Sequence, residues 1–189
     1  EIQKQVFEAL GLKEKEIIAY HEAGHALVAS FLPNADPVQK VSIISRGQAG
    51  GYTLAVPTED RSLHSRAYFV DELAVLLGGY ASEKNKFQEI TTGASNDLER
   101  ATRIAREMVT RYGMSELGPR TFGKKEELIF LGKEISEEKN YSEHTSEQID
   151  AEVSRFISDA YNTSEKVIKE RSDILEDIAK TLLEKEIIE

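Results

Sequence analysis

Apolar residues recur three and four apart through "LKEKEIIAYHEAGHALVASFL", residues 12–32, and the pattern stops at Pro33. This spacing predicts a helix ended by proline. The next stretch changes character, with β-branched residues and glycine around Pro33, Pro37 and Pro57. There "VQKVSII" (38–44) and "GYTLAV" (51–56) read as short strands joined through "SRGQAG". The second strand stops before Pro57, which has no N–H for a ladder. Helical spacing returns in "SLHSRAYFVDELAVLLGGYASEK" (62–84), where Gly78-Gly79 predicts a close approach or a break. A third helix is predicted over "SNDLERATRIAREMVTRYG" (95–113). Ser95 or Asn96 would cap it, Asp97 and Glu99 would favour its positive end, and Gly113 would stop it. Residues 118–141 read as an irregular loop or hairpin and as the candidate mobile segment. From Ser142 the chain returns to helical spacing, which runs to the C-terminus, with Thr145 and Gln148 able to form a capping box. The predicted fold is mainly α with a small β element. Its parts are a linker over 1–12, a core over 13–141, and a C-terminal helical part of the same domain over 142–189.

Composition narrows the chemistry. In 189 residues, hydrophobic side chains make up 40% and charged ones 31%, the balance of a globular domain able to bury a core. The net charge of -10 and the lack of a basic stripe exclude a dedicated nucleic-acid binder. Cysteine is absent, so any metal must be held by His, Asp or Glu. No apolar run approaches the ~18 residues of a membrane span. The chain is therefore expected to be soluble by itself, and its start without Met suggests a piece of a longer protein.

The candidate chemistry lies inside the first helix. Four helical residues turn roughly 400°, so His21 and His25 fall on one face, about 40° apart. Both imidazoles can address one ion. Glu22, roughly 100° further round, is poorly placed as a ligand but can reach a water beside the ion. This is the logic of H-E-x-x-H: two zinc ligands, and a carboxylate that takes a proton from the attacking water. Small Ala23, Gly24 and Ala26 around the pair suit close approach of another element. The third ligand must come from elsewhere, and Glu72 and Glu83 are both candidates by sequence. Two rival readings remain at this point, a helical scaffold without metal and a zinc hydrolase of non-peptide substrates. The strand around Gly51, Tyr52, Thr53 and Leu54 would suit an edge on which an extended peptide adds, and Glu22 is read as the catalytic base. "GPRTFGKK" (118–125) imitates a P-loop, but Lys125 stands where Ser or Thr is needed, so no nucleotide site is read there. His64 and His144 lack a ligand partner at helical spacing and are read as structural or surface residues.

Longer motifs carry a resemblance. "AYHEAGHALVASFLPNADPVQKVSII", "RGQAGGYT", "TTGASNDLERAT" and "MVTRYGMSELGP" occur in that order. Together they resemble the peptidase domain of the FtsH-type, membrane-anchored, ATP-dependent zinc proteases, from about Lys13 onwards. The resemblance implies a helical zinc-metallopeptidase fold, endopeptidase activity and Zn²⁺ as cofactor. It also implies Asp97 as the third ligand beside His21 and His25. For the whole protein it implies a homo-hexamer that degrades unfolded or membrane proteins. ATP and Mg²⁺ would serve only an ATPase module, which this chain lacks together with the membrane helices. Such a protein is anchored in a membrane, at the cytoplasmic face of a bacterial inner membrane or its organelle equivalent. The chain departs from the pattern where "GGYASEK" replaces "GGRAAEE", placing Tyr80 and Lys84 in unusual positions. "NKFQEI" replaces a more apolar stretch, and Gln39 and Gly50 stand for commoner His and Leu.

Overall fold

The computed structural model describes residues 2–45, 50–57, 62–125, 137–138 and 140–189. Helix α1 (Ile2–Phe31) is the spine, and its backbone is already helical through the first residues, where linker was expected. It buries Ala19, Ala23, Ala26, Leu27 and Val28. Strands β1 (Val38–Ser42) and β2 (Tyr52–Ala55) pair antiparallel, with Val41 opposite Thr53 and Ser42 opposite Tyr52.

The helical region expected over 62–84 is two helices. α2 (Arg66–Leu76) is capped by the Ser65 hydroxyl, and α3 (Gly78–Phe87) starts directly after Leu77. Both anticipated uses of the glycine pair occur: the helix breaks, and α3 packs against α1 at backbone distance. A Cβ on Gly24 would lie 2.6 Å from Ser82 Cβ, and one on Gly78 would lie 2.8 Å from the Gly24 carbonyl oxygen. Across this crossing the Ser82 hydroxyl donates to the Tyr20 carbonyl.

Helix α4 (Ser95–Thr110) corrects the cap expectation. Neither Ser95 nor Asn96 caps it; a 3₁₀ turn over Thr92–Ala94 runs straight into it, and Thr91 accepts from the Gly93 N–H at the start of that turn. Gly113, at φ 62, makes the predicted stop with a backbone conformation that Cβ-bearing residues avoid. The chain then returns to pair Phe122 N–H with the Thr110 carbonyl. "GPRTFGKK" leads into a strand where a P-loop would enter a helix. β3 (Lys124–Lys125) pairs with β4 (Glu137–Glu138), the base of the anticipated hairpin. The rest of the segment expected to be mobile falls mostly outside the described residues, as does most of "SRGQAG".

Helix α5 (Glu143–Glu170) starts where helix was expected to return, but with a different cap. Ser142, not Thr145, accepts the capping bond, from the Thr145 N–H itself. Its buried stripe is Ile149, Phe156, Ala160, Ser164 and Ile168. α6 (Ser172–Lys185) follows after Arg171 and buries Leu175, Ala179 and Leu182. The C-terminus is not helical to its end as expected. Glu186 turns left-handed, and β5 (Ile187–Ile188) adds to β1, giving the sheet order β2-β1-β5. Among the described residues β2 is therefore the terminal strand of that sheet.

Candidate metal centre and active site

Two imidazoles and two carboxylates meet where α1 crosses α3 and the start of α4. Each histidine has one ring nitrogen engaged away from the centre. His25 Nδ1 donates to the Val75 carbonyl at 2.8 Å, and His21 Nδ1 donates to Glu83 Oε1 at 2.7 Å. Those acceptors fix the ring orientations, so both Nε2 atoms face inwards, where each offers a lone pair once it is without a proton. The Nε2 atoms lie 3.0 Å apart, and Asp97 Oδ2 is 3.2 Å from one and 3.3 Å from the other. Zinc bonds of about 2.0–2.1 Å in a tetrahedron separate neighbouring ligand atoms by roughly 3.3 Å. The donor set therefore fits a zinc-sized ion. Among the described residues, His21, His25 and Asp97 form one group that could hold a metal.

Electrostatics points the same way. Burial alone would lower the His21 pKa, but hydrogen bonds to Asp97 and Glu83 and the nearby Glu22 charge outweigh it, raising it to about 9. Burial would raise Asp97, yet the two histidines hold it well below the usual carboxylate range. Glu83 is likewise held low against its burial, by His21 and by the Thr91 N–H, which donates to its other oxygen at 2.7 Å. Glu83 thus ties His21 to the turn that delivers Asp97.

Both glutamates that the sequence left open as ligands are accounted for. Glu83 sits behind His21, on the Nδ1 side. Glu72 accepts from Arg100 at 2.8 Å and is not in the donor group. Glycine-79 contributes by what it lacks, since a Cβ there would lie 2.5 Å from His21 Nε2. Sequence reasoning missed that contact; its only signal was a glycine pair at a helix break.

Glu22 is almost wholly buried beside the pair. Its Oε2 accepts from the Thr53 hydroxyl at 2.8 Å, and Gly51 leaves room for it. A cleft of ≈ 930 Å³ runs past these groups. It brings Gly51, Tyr52, Thr53 and Leu54 of the expected peptide edge together with His21, Glu22, His25 and Asp97. Its far wall includes Tyr68, whose hydroxyl donates to Asp36, and the Glu72–Arg100 pair. His64 stacks on Tyr68, and His144 is exposed on α5.

The sequence pattern of peptidase family M41 matches residues 8–189. This chain belongs to peptidase family M41. It is 54% identical over 95% of its length to the ATP-dependent zinc metalloprotease FtsH 1 of Sphaerobacter thermophilus, of which it covers 28%. It is 51% identical over 94% of its length to the ATP-dependent zinc metalloprotease FtsH of Thermotoga maritima, of which it covers 29%. The chain thus spans under a third of these relatives. In this M41 domain, Tyr80 and Lys84 lie away from the donors, on Tyr161 of α5. Tyr80 meets that ring edge-on at 5.8 Å, and Lys84 Nζ lies 5.1 Å from its centre.

Proposed function

We propose that this domain is the zinc endopeptidase part of an ATP-dependent protease. The observation that carries the reading is the convergence of three donor atoms at 3.0–3.3 Å beside the buried Glu22 carboxylate. His21, His25 and Asp97 would hold Zn²⁺. Zinc bound there supplies Lewis acidity, polarising a peptide carbonyl and making a water more acidic. Glu22 takes the proton of the attacking water at its carboxylate and passes it to the leaving nitrogen. Glu83 and the Val75 carbonyl keep the imidazoles turned to the centre. The outer edge of β2, the terminal strand, takes an extended peptide through backbone hydrogen bonds, so recognition is tolerant of sequence and suits unfolded polypeptide.

In the whole protein, this domain would act in a homo-hexamer, with ATP and Mg²⁺ driving unfolding in an ATPase module. No helix among the described residues is long and apolar enough to cross a membrane. Anchorage, at a bacterial inner membrane or its organelle equivalent, would therefore lie in other parts of the protein. The test is Glu22→Gln in the zinc-loaded protein. Zinc content should stay, while peptide hydrolysis falls by about 10²- to 10⁴-fold. Near-normal hydrolysis would remove Glu22 from the role of base. Small-ester hydrolysis without peptide cleavage would favour a non-peptide substrate instead.

A further inference from the structure

We infer that Thr53 is a positioning residue for the base, linking the docking of peptide on β2 to the orientation of Glu22. The inference rests on the endopeptidase reading above and adds a residue and a coupling to it. Thr53 Oγ1 lies 2.8 Å from Glu22 Oε2 and 3.3 Å from the Glu22 backbone oxygen. A hydroxyl has one proton to give, and the nearer, charged acceptor takes it. On the other side, a Cβ at Gly51 would lie 3.0 Å from Glu22 Oε1 and 2.9 Å from its Cγ. The carboxylate is thus held between two residues of one chain segment. Gly51 gives it room and Thr53 fixes its direction.

The direction of that hydroxyl is itself fixed. Threonine is branched at Cβ and stiff at χ1, so its Oγ follows the strand backbone. That backbone is paired at Thr53 with Val41, which is buried and is paired on its other side with Ile188. The sheet therefore sets the hydroxyl and the hydroxyl sets the base. A peptide that adds along the outer edge of β2 steadies the same strand. Binding energy gained along the peptide then improves the placement of Glu22, so it raises kcat rather than only lowering KM. The backbone of Thr53 serves the substrate and its side chain serves the base.

The test uses the zinc-loaded full-length protein with Thr53→Val and Thr53→Ser. The valine keeps the shape and removes the donor, whereas the serine keeps the donor. Thr53→Val should lower kcat on an unfolded peptide by about 10- to 100-fold, the scale of a misplaced catalytic group, and leave KM and zinc content unchanged. Thr53→Ser should restore most of the rate. A readout apart from turnover is the affinity of a phosphinic peptide, which mimics the tetrahedral transition state. Its affinity should fall with Thr53→Val when Glu22 is present and stay unchanged when Glu22→Gln is already in place. The inference is overturned if Thr53→Ser is as slow as Thr53→Val, if only KM moves, or if the inhibitor loses the same affinity in both backgrounds. If Glu22→Gln alone keeps wild-type hydrolysis, the base assignment fails first, and that outcome is distinct from any of these.

Discussion

The crossing of α1 with α3 and the apolar faces by which α5 packs on α2, α3 and α4 and α6 packs on α1 are both helical, both buried, and built on opposite principles. At the first, glycine, alanine and serine bring backbones together, and polar side chains fill what is left. At the second, Ile149, Phe156, Ile168, Leu175 and Leu182 fill the space with apolar volume. The difference separates two duties. Large aliphatic side chains stabilise through the area they bury and tolerate small shifts. A metal centre must hold three atoms to fractions of an ångström, and backbone contact without intervening side chains gives that stiffness. Truncation should therefore harm the two regions in different ways.

The largest effect on stability should come from the apolar region. Phe156→Ala removes a buried ring that also lies under the Arg66 and Arg155 guanidinium groups. It should cost about 3–5 kcal/mol of folding stability. Thermal unfolding should show that loss, while zinc affinity of the folded protein stays at its wild-type value. A large change in zinc affinity would mean the two regions are not separable.

The converse substitution is Gly79→Ala. The new methyl enters the space of the His21 ring, so the ring must turn from its place between Glu83 and Asp97. Zinc affinity should fall by about 10- to 100-fold, as for loss of an orienting partner. Competition with a chelator measures it, and the visible spectrum of the Co²⁺-substituted protein should change as well. Wild-type affinity with a wild-type spectrum would show that α3 can retreat and that the crossing is less rigid than described.

These two regions were also unequally legible in the sequence. The α5–α6 stripe follows from the 3.6-residue period, and the shared face of His21 and His25 follows from the same arithmetic. Asp97 does not, because a carboxylate 72 residues beyond His25 is placed by tertiary packing. Spacing alone left Glu72 and Glu83 open, and the longer motifs singled out Asp97. Local competition explains the cap errors. Ser142 and Thr145 both have capping side chains, and the earlier one won. The turn before α4 took its cap from Thr91, because a 3₁₀ start moved the helix entry away from Ser95. Strand β5 was hidden because its two residues also continue an apolar helical pattern, and its partner β1 lies far back in the chain.

A third test uses pH to probe the electrostatic tightness of the centre. In the metal-free protein the His21 pKa is raised to about 9. A raised pKa stabilises the fold fully below the unfolded value of about 6.5, and that contribution is lost as pH rises through about 9. Metal-free protein should therefore lose thermal stability between pH 7 and pH 9. Zinc needs His21 Nε2 without its proton, so apparent zinc affinity should rise over the same interval, approaching tenfold per pH unit. Titration calorimetry in buffers of different ionisation heat should show about one proton released at neutral pH. Affinity that is flat with pH would mean the histidine is already neutral and the polar shell weaker than its distances imply.

The smallest effect should come from Glu72→Ala, and its smallness is what makes it informative. Glu72 lines the same cleft as the metal donors and was a candidate ligand by residue type. Burial raises its pKa, while the Arg100 charge acts against that, and its oxygen is engaged by Arg100 at 2.8 Å. Arg100 is largely exposed, so the ion pair itself contributes only a few tenths of a kcal/mol to about 1 kcal/mol. Removing the carboxylate leaves His21, His25 and Asp97 with all their orienting partners, and Arg100 can turn to solvent. Zinc content after chelator challenge should match the wild type, whereas Asp97→Ala under the same challenge should lose its metal. If Glu72→Ala lost zinc and Asp97→Ala kept it, the third ligand would lie on α2, and the contrast between the two regions would have to be redrawn around α1 and α2.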